Sequence, residues 1–411
     1  MNLRGRIPER LRLAAVLIVT SIAVLALAAS SCRNTSRDGR ALTIALAIFP
    51  GEAARYRQFV REFEARRGVR VDIIAQSYND ILQVVTAQAG GGRGTIDIAE
   101  LDLSMLARAR NSALDLGAVV SPEARQLFPQ AAWNAAETGG GLRFIPHRLF
   151  WQAMIYNRAR LPTPPATWTE LAEFSRRHPG KLVLKAARYE GLICDLAPFV
   201  WGAGGDFLEP TSAGSVRGLF FVAQLAPYLN SYSQVMREMT ALDAQARGEV
   251  WVHFNWPFAM DYLANKGLAP GVNGSAPIPA GPYGAATPLG GGYLLIPTSA
   301  PNRELAEEFL RYLLTPASQE NLGRELGWYG SVAPVAGSEQ ALLYAGFTAM
   351  REQVRARPVV PCYAQLSDSW QRAARALLFG NEPPTGAVEQ VSRSTALLPV
   401  FRGSNEECKC K

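Results

Sequence analysis

The sequence predicts an α/β protein built on a parallel sheet, and three observations carry that class. "ALTIALAIF" (41–49) is an apolar run of the length of a buried strand. Two more strand-like runs, "VRVDIIAQ" (69–76) and "TIDIAELD" (95–102), follow it closely. Between them lie two stretches with helical spacing. Strand, helix, strand, helix, strand over so short a span is the pattern of a parallel α/β sheet.

Each element has its own local cause. In "GEAARYRQFVREFEARRG" the residues Tyr56, Phe59, Val60 and Phe63 recur on one helical face, and Gly68 supplies the stop. "YNDILQVVTAQAGGG" reads as a second helix running into glycines. After a helix-rich middle, "GLRFIPHRLFWQAMIYNRARL" reads as two strand-like runs around Pro146. "PPATWTELAEF" opens the next helix: its prolines end whatever precedes, and Thr167 with Glu170 forms a capping box that satisfies free backbone N–H groups. "LGGGYLLIP" is a glycine turn feeding a strand. "NRELAEEFLRYLL" is amphipathic, with Leu305, Phe309 and Tyr312 on one face.

Residues 1–31 have the layout of an export signal. Arg4, Arg6, Arg10 and Arg12 precede an almost unbroken apolar stretch from Leu13 to Ala29. Ala29, Ser30 and Ser31 then abut Cys32, which resembles the lipobox of bacterial lipoproteins, with Ala29 where leucine is commonest. The expectation is a lipid on Cys32 and a polar, unfolded tether over 32–40. A plain secretory signal and a retained anchor are the alternatives. The 411 residues leave enough chain beyond the signal for two lobes with real cores. The net charge of +7 shrinks once the arginine-rich leader is removed, which gives no signature of nucleic-acid binding. Five cysteines and three scattered histidines, His147, His178 and His253, show no metal-ligand spacing, so no metal or cofactor is expected. Cys194 and Cys362 lie in apolar surroundings and read as buried thiols, while an oxidising compartment would also permit disulfides, for which the four cysteines beyond Cys32 allow three pairings; Cys408 and Cys410 sit in a short tail, 401–411.

Several segments in order resemble the family 1 extracellular solute-binding proteins of ABC importers. They are "FPGEAARYRQFVREFEARRGVRVDI", "GTIDIAELD", "IYNRARLPTPPATWTELAEF", "FVWGAGGDF", "NWPFAM", "PLGGGYLLIP", "AEEFLRYLLTPASQENL" and "RPVVPCY". Details lean toward the trehalose/maltose-type branch. The resemblance implies a type II periplasmic-binding-protein fold: two lobes, each a mainly parallel sheet flanked by helices, joined by hinge strands and closing on a sugar. It places the N-terminal lobe at 41–148 plus 295–345 and the C-terminal lobe at 149–294 plus 346–400. The hinge crossings are expected near 143–155, 288–296 and 344–357. The implied partners are a carbohydrate ligand, the transmembrane subunits of an ABC permease, and the membrane through the lipid on Cys32, with an extracytoplasmic location.

In open parallel sheets, ligands bind beyond the carboxyl ends of the strands. Glu52 follows the first strand and Asp102 ends the third, so both carboxylates could accept hydrogen bonds from sugar hydroxyls. Their structural alternatives are a helix N-terminal acid for Glu52 and a cap or turn for Asp102. Trp256 precedes Pro257 in a loop and matches the family's Gly-Pro-Trp-like segment, whose tryptophan stacks on sugar. Gly292 is expected to let backbone approach the ligand, with Tyr293 stacking beside it. Arg357 matches a family position that reaches the sugar, and Phe150 stands where relatives of that branch carry an aspartate. Phe150 and Trp151 together imply a more aromatic pocket, and Trp201 is a further candidate. Trp168, just inside a helix start, reads as packing. A secreted carbohydrate-active enzyme is the competing class, because Glu52 and Asp102 could imitate a glycosidase pair. No residue shows nucleophile-and-base spacing, so no enzyme is expected. A receptor serving a sensor is the other alternative, and a binder of iron, phosphate or a polyamine a further one.

Overall fold

A computed structural model of the chain describes residues 41–91, 94–138, 140–266, 271–328, 341, 343–396 and 398. The export signal, Cys32, the tether and the tail with Cys408 and Cys410 lie outside the described residues.

The chain forms two main sheets. The first holds β1 (Ala41–Leu46), β2 (Arg70–Ala75) and β3 (Ile98–Asp102). β1 and β3 pair in parallel, with Ile44 opposite Ile98, as the alternation with helices requires. β1 is buried along its whole length, which is why it reads as apolar sequence interrupted by Thr43 alone. The helix Pro50–Arg67 buries Ala53, Tyr56, Phe59, Val60 and Phe63 on the expected face. It stops at Gly68, whose φ of 62° is open to glycine and costly for other residues. A short hairpin, β4 (Glu137–Thr138) and β5 (Gly141–Leu142), leads into β6 (Ile145–Trp151).

β6 runs into β7 (Ala153–Asn157) with only Gln152 between them, and there the chain changes sheets. The second sheet has the order β10-β7-β9-β8, from β8 (Leu182–Val183), β9 (Val252–Asn255) and β10 (Asn273–Ala276). It is mixed rather than mainly parallel: β7 is antiparallel to both neighbours, and only β8 and β9 run parallel. Helices Trp168–Arg177, Glu190–Gly202, Ala213–Leu225 and Tyr363–Phe379 complete this lobe. Trp168 packs as expected, stacked on Phe221 with ring centroids 4.4 Å apart.

The chain returns to the first sheet as β11 (Thr287–Leu295). β11 lies antiparallel between β3 and β6, and β12 (Val354–Arg355) pairs parallel with its first residues. By sheet membership β11 belongs to the first lobe from Thr287 onward, earlier than the expected boundary at 294/295. Gln152 and Thr287 tie the two crossings together, since the Thr287 hydroxyl donates to the Gln152 carbonyl at 2.8 Å. Cys194 is a buried thiol, whereas Cys362 is disulfide-bonded, which corrects the expectation of a second thiol. No described helix is long and apolar enough to cross a membrane.

Candidate functional site

The three glycines of β11 organise the site. Gly292 is in register with Asp102 of β3 on one side and Arg148 of β6 on the other. Gly290 is in register with Phe150. Residues opposite one another in an antiparallel pair share a face, and alternate residues of a strand share it too. Glu100, Asp102, Arg148 and Phe150 therefore flank a strip of β11 that carries no side chains of its own. Neighbours fold over that strip. A Cβ on Gly292 would lie 2.1 Å from the Glu100 carboxylate, and one on Gly290 would lie 2.9 Å from the Trp256 ring. Trp256, half-buried between β9 and the helix Phe258–Ala264, thus reaches from the second lobe onto the first lobe's sheet beside Phe150.

Beneath this surface lies a buried charge network. Glu100 is fully buried and accepts the Ala47 N–H at 3.0 Å. It also meets His147 Nδ1 at 3.0 Å and Arg148 Nη2 at 3.4 Å. Burial alone would raise its carboxyl; the Arg148 guanidinium, the His147 contact and the backbone bond outweigh it and bring the pKa down to about 2. His147 Nε2 lies 3.2 Å from the Tyr56 hydroxyl. Arg148 also donates to the Ala47 carbonyl at 2.6 Å and to the Tyr78 hydroxyl at 3.0 Å.

Glu52 stands at the edge of this network, at the third position of its helix. Its carboxylate accepts the Phe49 N–H at 2.9 Å and the Trp328 indole N–H at 3.4 Å, and lies 3.6 Å from Arg148 Nη1. Asp102 Oδ1 caps the turn that follows β3, accepting the Ser104 N–H at 2.9 Å and its hydroxyl at 2.6 Å. Both carboxylates thus fill the structural roles open to them, and both stay partly exposed, with side chains 18% and 23% accessible.

Five expected residues are placed differently. Tyr293 is fully buried and its hydroxyl donates to the Ala132 carbonyl at 3.3 Å. As the neighbour of Gly292 in a strand it faces the opposite side of the sheet, so it has no free face for a ligand. Gly292 makes room for Glu100 rather than for ligand. Trp151 is buried and donates to the Phe347 carbonyl at 2.7 Å, again on the side away from Phe150. Arg357 is 3% exposed and already paired with Glu190 through Nη1, with its Nη2 3.7 Å from Asp102. Trp201 is buried too, with the Arg355 guanidinium 5.1 Å from its ring.

Arg148, Glu100, Trp328, Tyr78 and Glu190 join the site without being among the candidates that the sequence motifs single out. Glu100 carried a signal, being a charged residue inside the strand-like run "TIDIAELD". Among the described residues no cluster of His, Cys, Asp or Glu could hold a metal ion. A cavity of about 540 Å³ lined by Trp168, Phe221 and Pro282 shares no residue with this site.

Two sheets joined by repeated crossings, with aromatic rings and part-exposed carboxylates at the strand ends between them, define a two-lobe binding protein of the periplasmic-binding-protein fold. Residues 49–320 match the family described as bacterial extracellular solute-binding protein, and the chain belongs to that family. A curated relative, a binding protein of Brucella abortus, is 22% identical, with 93% of this chain and 97% of the relative covered. Among solved structures, maltose-bound MalE3 of T. maritima is 22% identical with a TM-score of 0.70, covering 87% of this chain and 99% of that one. The cyclic alpha-maltosyl-1,6-maltose binding protein from Arthrobacter globiformis is 19% identical with a TM-score of 0.74, covering 89% and 99%. These likenesses establish the fold.

Proposed function

We propose that the chain is a lipid-anchored extracytoplasmic receptor that captures a mono- or oligosaccharide between its lobes and delivers it to an ABC permease. What supports this reading is that Trp256 and Phe150 both lie beside Gly290 of β11, two residues along the strand from Gly292, whose register partner is the part-exposed Asp102, while Glu52 lies against Arg148 on the other side of Gly292. A sugar ring has flat C–H faces and a rim of hydroxyls. Aromatic rings cover the faces and carboxylates accept from the rim. Trp256 and Phe150 are the stacking surfaces in this reading, and Glu52 and Asp102 the acceptors. Arg148 and Arg357 hold those acceptors in place. A ligand of the trehalose/maltose type fits the sequence resemblance and the sugars named for the two similar structures. Phe150, in place of a hydrogen-bonding aspartate, favours a pocket that relies more on stacking.

A thermal-shift panel of mono- and disaccharides tests the ligand class. At a concentration about 100-fold above its dissociation constant, a cognate sugar adds roughly 2.7 kcal/mol to stability. A panel without any shift opposes a sugar receptor. The lipid is tested by labelling cells with a palmitate analogue: wild type takes up label and Cys32→Ala does not, whereas equal labelling of both contradicts lipidation at Cys32.

A further inference from the structure

We propose that Arg357 is a latch that holds the two lobes together, with Glu190 as its anchor on the second lobe and Asp102 as its catch on the first. This rests on the reading of the protein as a receptor whose lobes close. Arg357 follows β12, where the chain leaves the first sheet for the helix Tyr363–Phe379. Its anchor is rigid. Glu190 opens the helix Glu190–Gly202 and accepts hydrogen bonds from Arg357 Nη1, from the Tyr363 hydroxyl and from Ser367 Oγ at 2.6 Å. All of these partners move with the second lobe. The catch is different. Asp102 ends β3 in the first sheet, its Oδ1 is oriented by Ser104, and it faces Arg357 Nη2 at 3.7 Å.

That distance is an ion-pair contact without a hydrogen bond, so it is the link that parts when the lobes swing open. Arg357 is nearly fully buried, and its Nε has no hydrogen-bond partner among the described residues. A buried guanidinium left with donors unmet gains from every acidic group brought near it. Closure brings Asp102. Without Arg357, the two carboxylates Asp102 and Glu190 would face each other across the cleft and repel. The latch therefore sets how much of the sugar-free protein is already closed, and a competent state populated in advance lowers the apparent dissociation constant.

The test is a distance measurement between spin labels carried by noncanonical residues at exposed Arg61 and Gln224, one on each lobe, in the sugar-free full chain. Wild type is expected to show a closed population whose ratio to the open form falls about three- to tenfold in Asp102→Asn. Arg357→Gln should lower it further, and the double variant by less than the product of the two effects. Raising the salt to about 0.5 M should open wild type and leave Asp102→Asn nearly unmoved. Asp102 lies at the cleft surface, so its variant decides the matter even where Arg357→Gln fails to fold. Identical distance distributions in wild type and Asp102→Asn overturn the latch. If maltose or maltotetraose still shifts both distributions, lobe closure stands without it. If one distance persists in every protein with every sugar of the thermal-shift panel, closure falls as well.

Discussion

Trp256 is the residue on which ligand affinity should depend most. A receptor with micromolar affinity has only about 8.2 kcal/mol in total. Hydrogen bonds to hydroxyls replace bonds to water and net roughly 0.5–1.5 kcal/mol each. Apolar contact supplies much of the remainder, at about 25 cal/mol per Å², and a tryptophan is the largest single source of such area. Trp256→Ala should weaken binding about 30- to 150-fold, or on the order of 2–3 kcal/mol. Trp168→Ala should instead lower Tm and leave affinity intact, because its ring is stacked on Phe221. Calorimetry and thermal melts on both variants check this. Glu100 makes a second residue-scale prediction. Its folded carboxyl titrates near 2, below the ordinary value of 4.5. A depressed pKa contributes stability that is fully present above the ordinary value and is lost as pH falls toward the folded one. Glu100→Gln should cost on the order of 3 kcal/mol at neutral pH, since it strips Arg148 of a buried partner. The stability gap to wild type should then shrink between about pH 5 and pH 2. Denaturant melts over that pH range would show it, and a constant gap would contradict it.

At the scale of the element, β11 decides the geometry of the site. Gly291 has φ 114°, and a Cβ there would sit 1.9 Å from the Arg148 carbonyl oxygen. Gly291→Ala should therefore unpair β6 from β11 and abolish folding or nearly so. The atoms nearest to a Cβ on Gly290 belong to the edge of the half-buried Trp256 ring, a side chain rather than backbone. Gly290→Ala should lower affinity more than Tm, and comparing the two glycine variants by melting and titration separates the roles. The same strand shows what the sequence discloses. The helix stop at Gly68, the cap at Thr167 and the parallel pairing of β1 with β3 are local signals and were legible. The glycines stand out in the sequence, but their partners, Glu100 at Gly292 and Trp256 at Gly290, come from distant segments that no local pattern names. The alternation of a strand is itself legible: consecutive residues face opposite sides, so Gly292 and Tyr293 cannot both line one pocket. Arg148 and Glu190 stayed hidden because their partners, Glu100 and Arg357, come close only once the chain has crossed between sheets.

For the whole molecule, the crossings at Gln152 and before Thr287 are the few residues in which the proposed lobe closure would concentrate backbone change. Gln152 is fully buried there; its side chain donates to Asp195 at 3.3 Å, and Asp195 in turn pairs with the buried Lys185. The second lobe is thus keyed to the crossing, and it should rotate as a unit. Solution scattering should show a smaller radius of gyration with the cognate sugar than without it, and no contraction under a tight ligand would count against closure. The central claim is that a sugar binds between the lobes, stacked on Trp256 and held by Glu52 and Asp102. Calorimetric titration of a panel of neutral mono- and oligosaccharides into wild type and Trp256→Ala tests it most directly. The predicted result is saturable binding of at least one sugar by wild type and at least a 30-fold loss, on the order of 2 kcal/mol, in the variant. Binding of the same sugar by Trp256→Ala within about threefold of wild type, or no binding of any sugar by wild type, would contradict it.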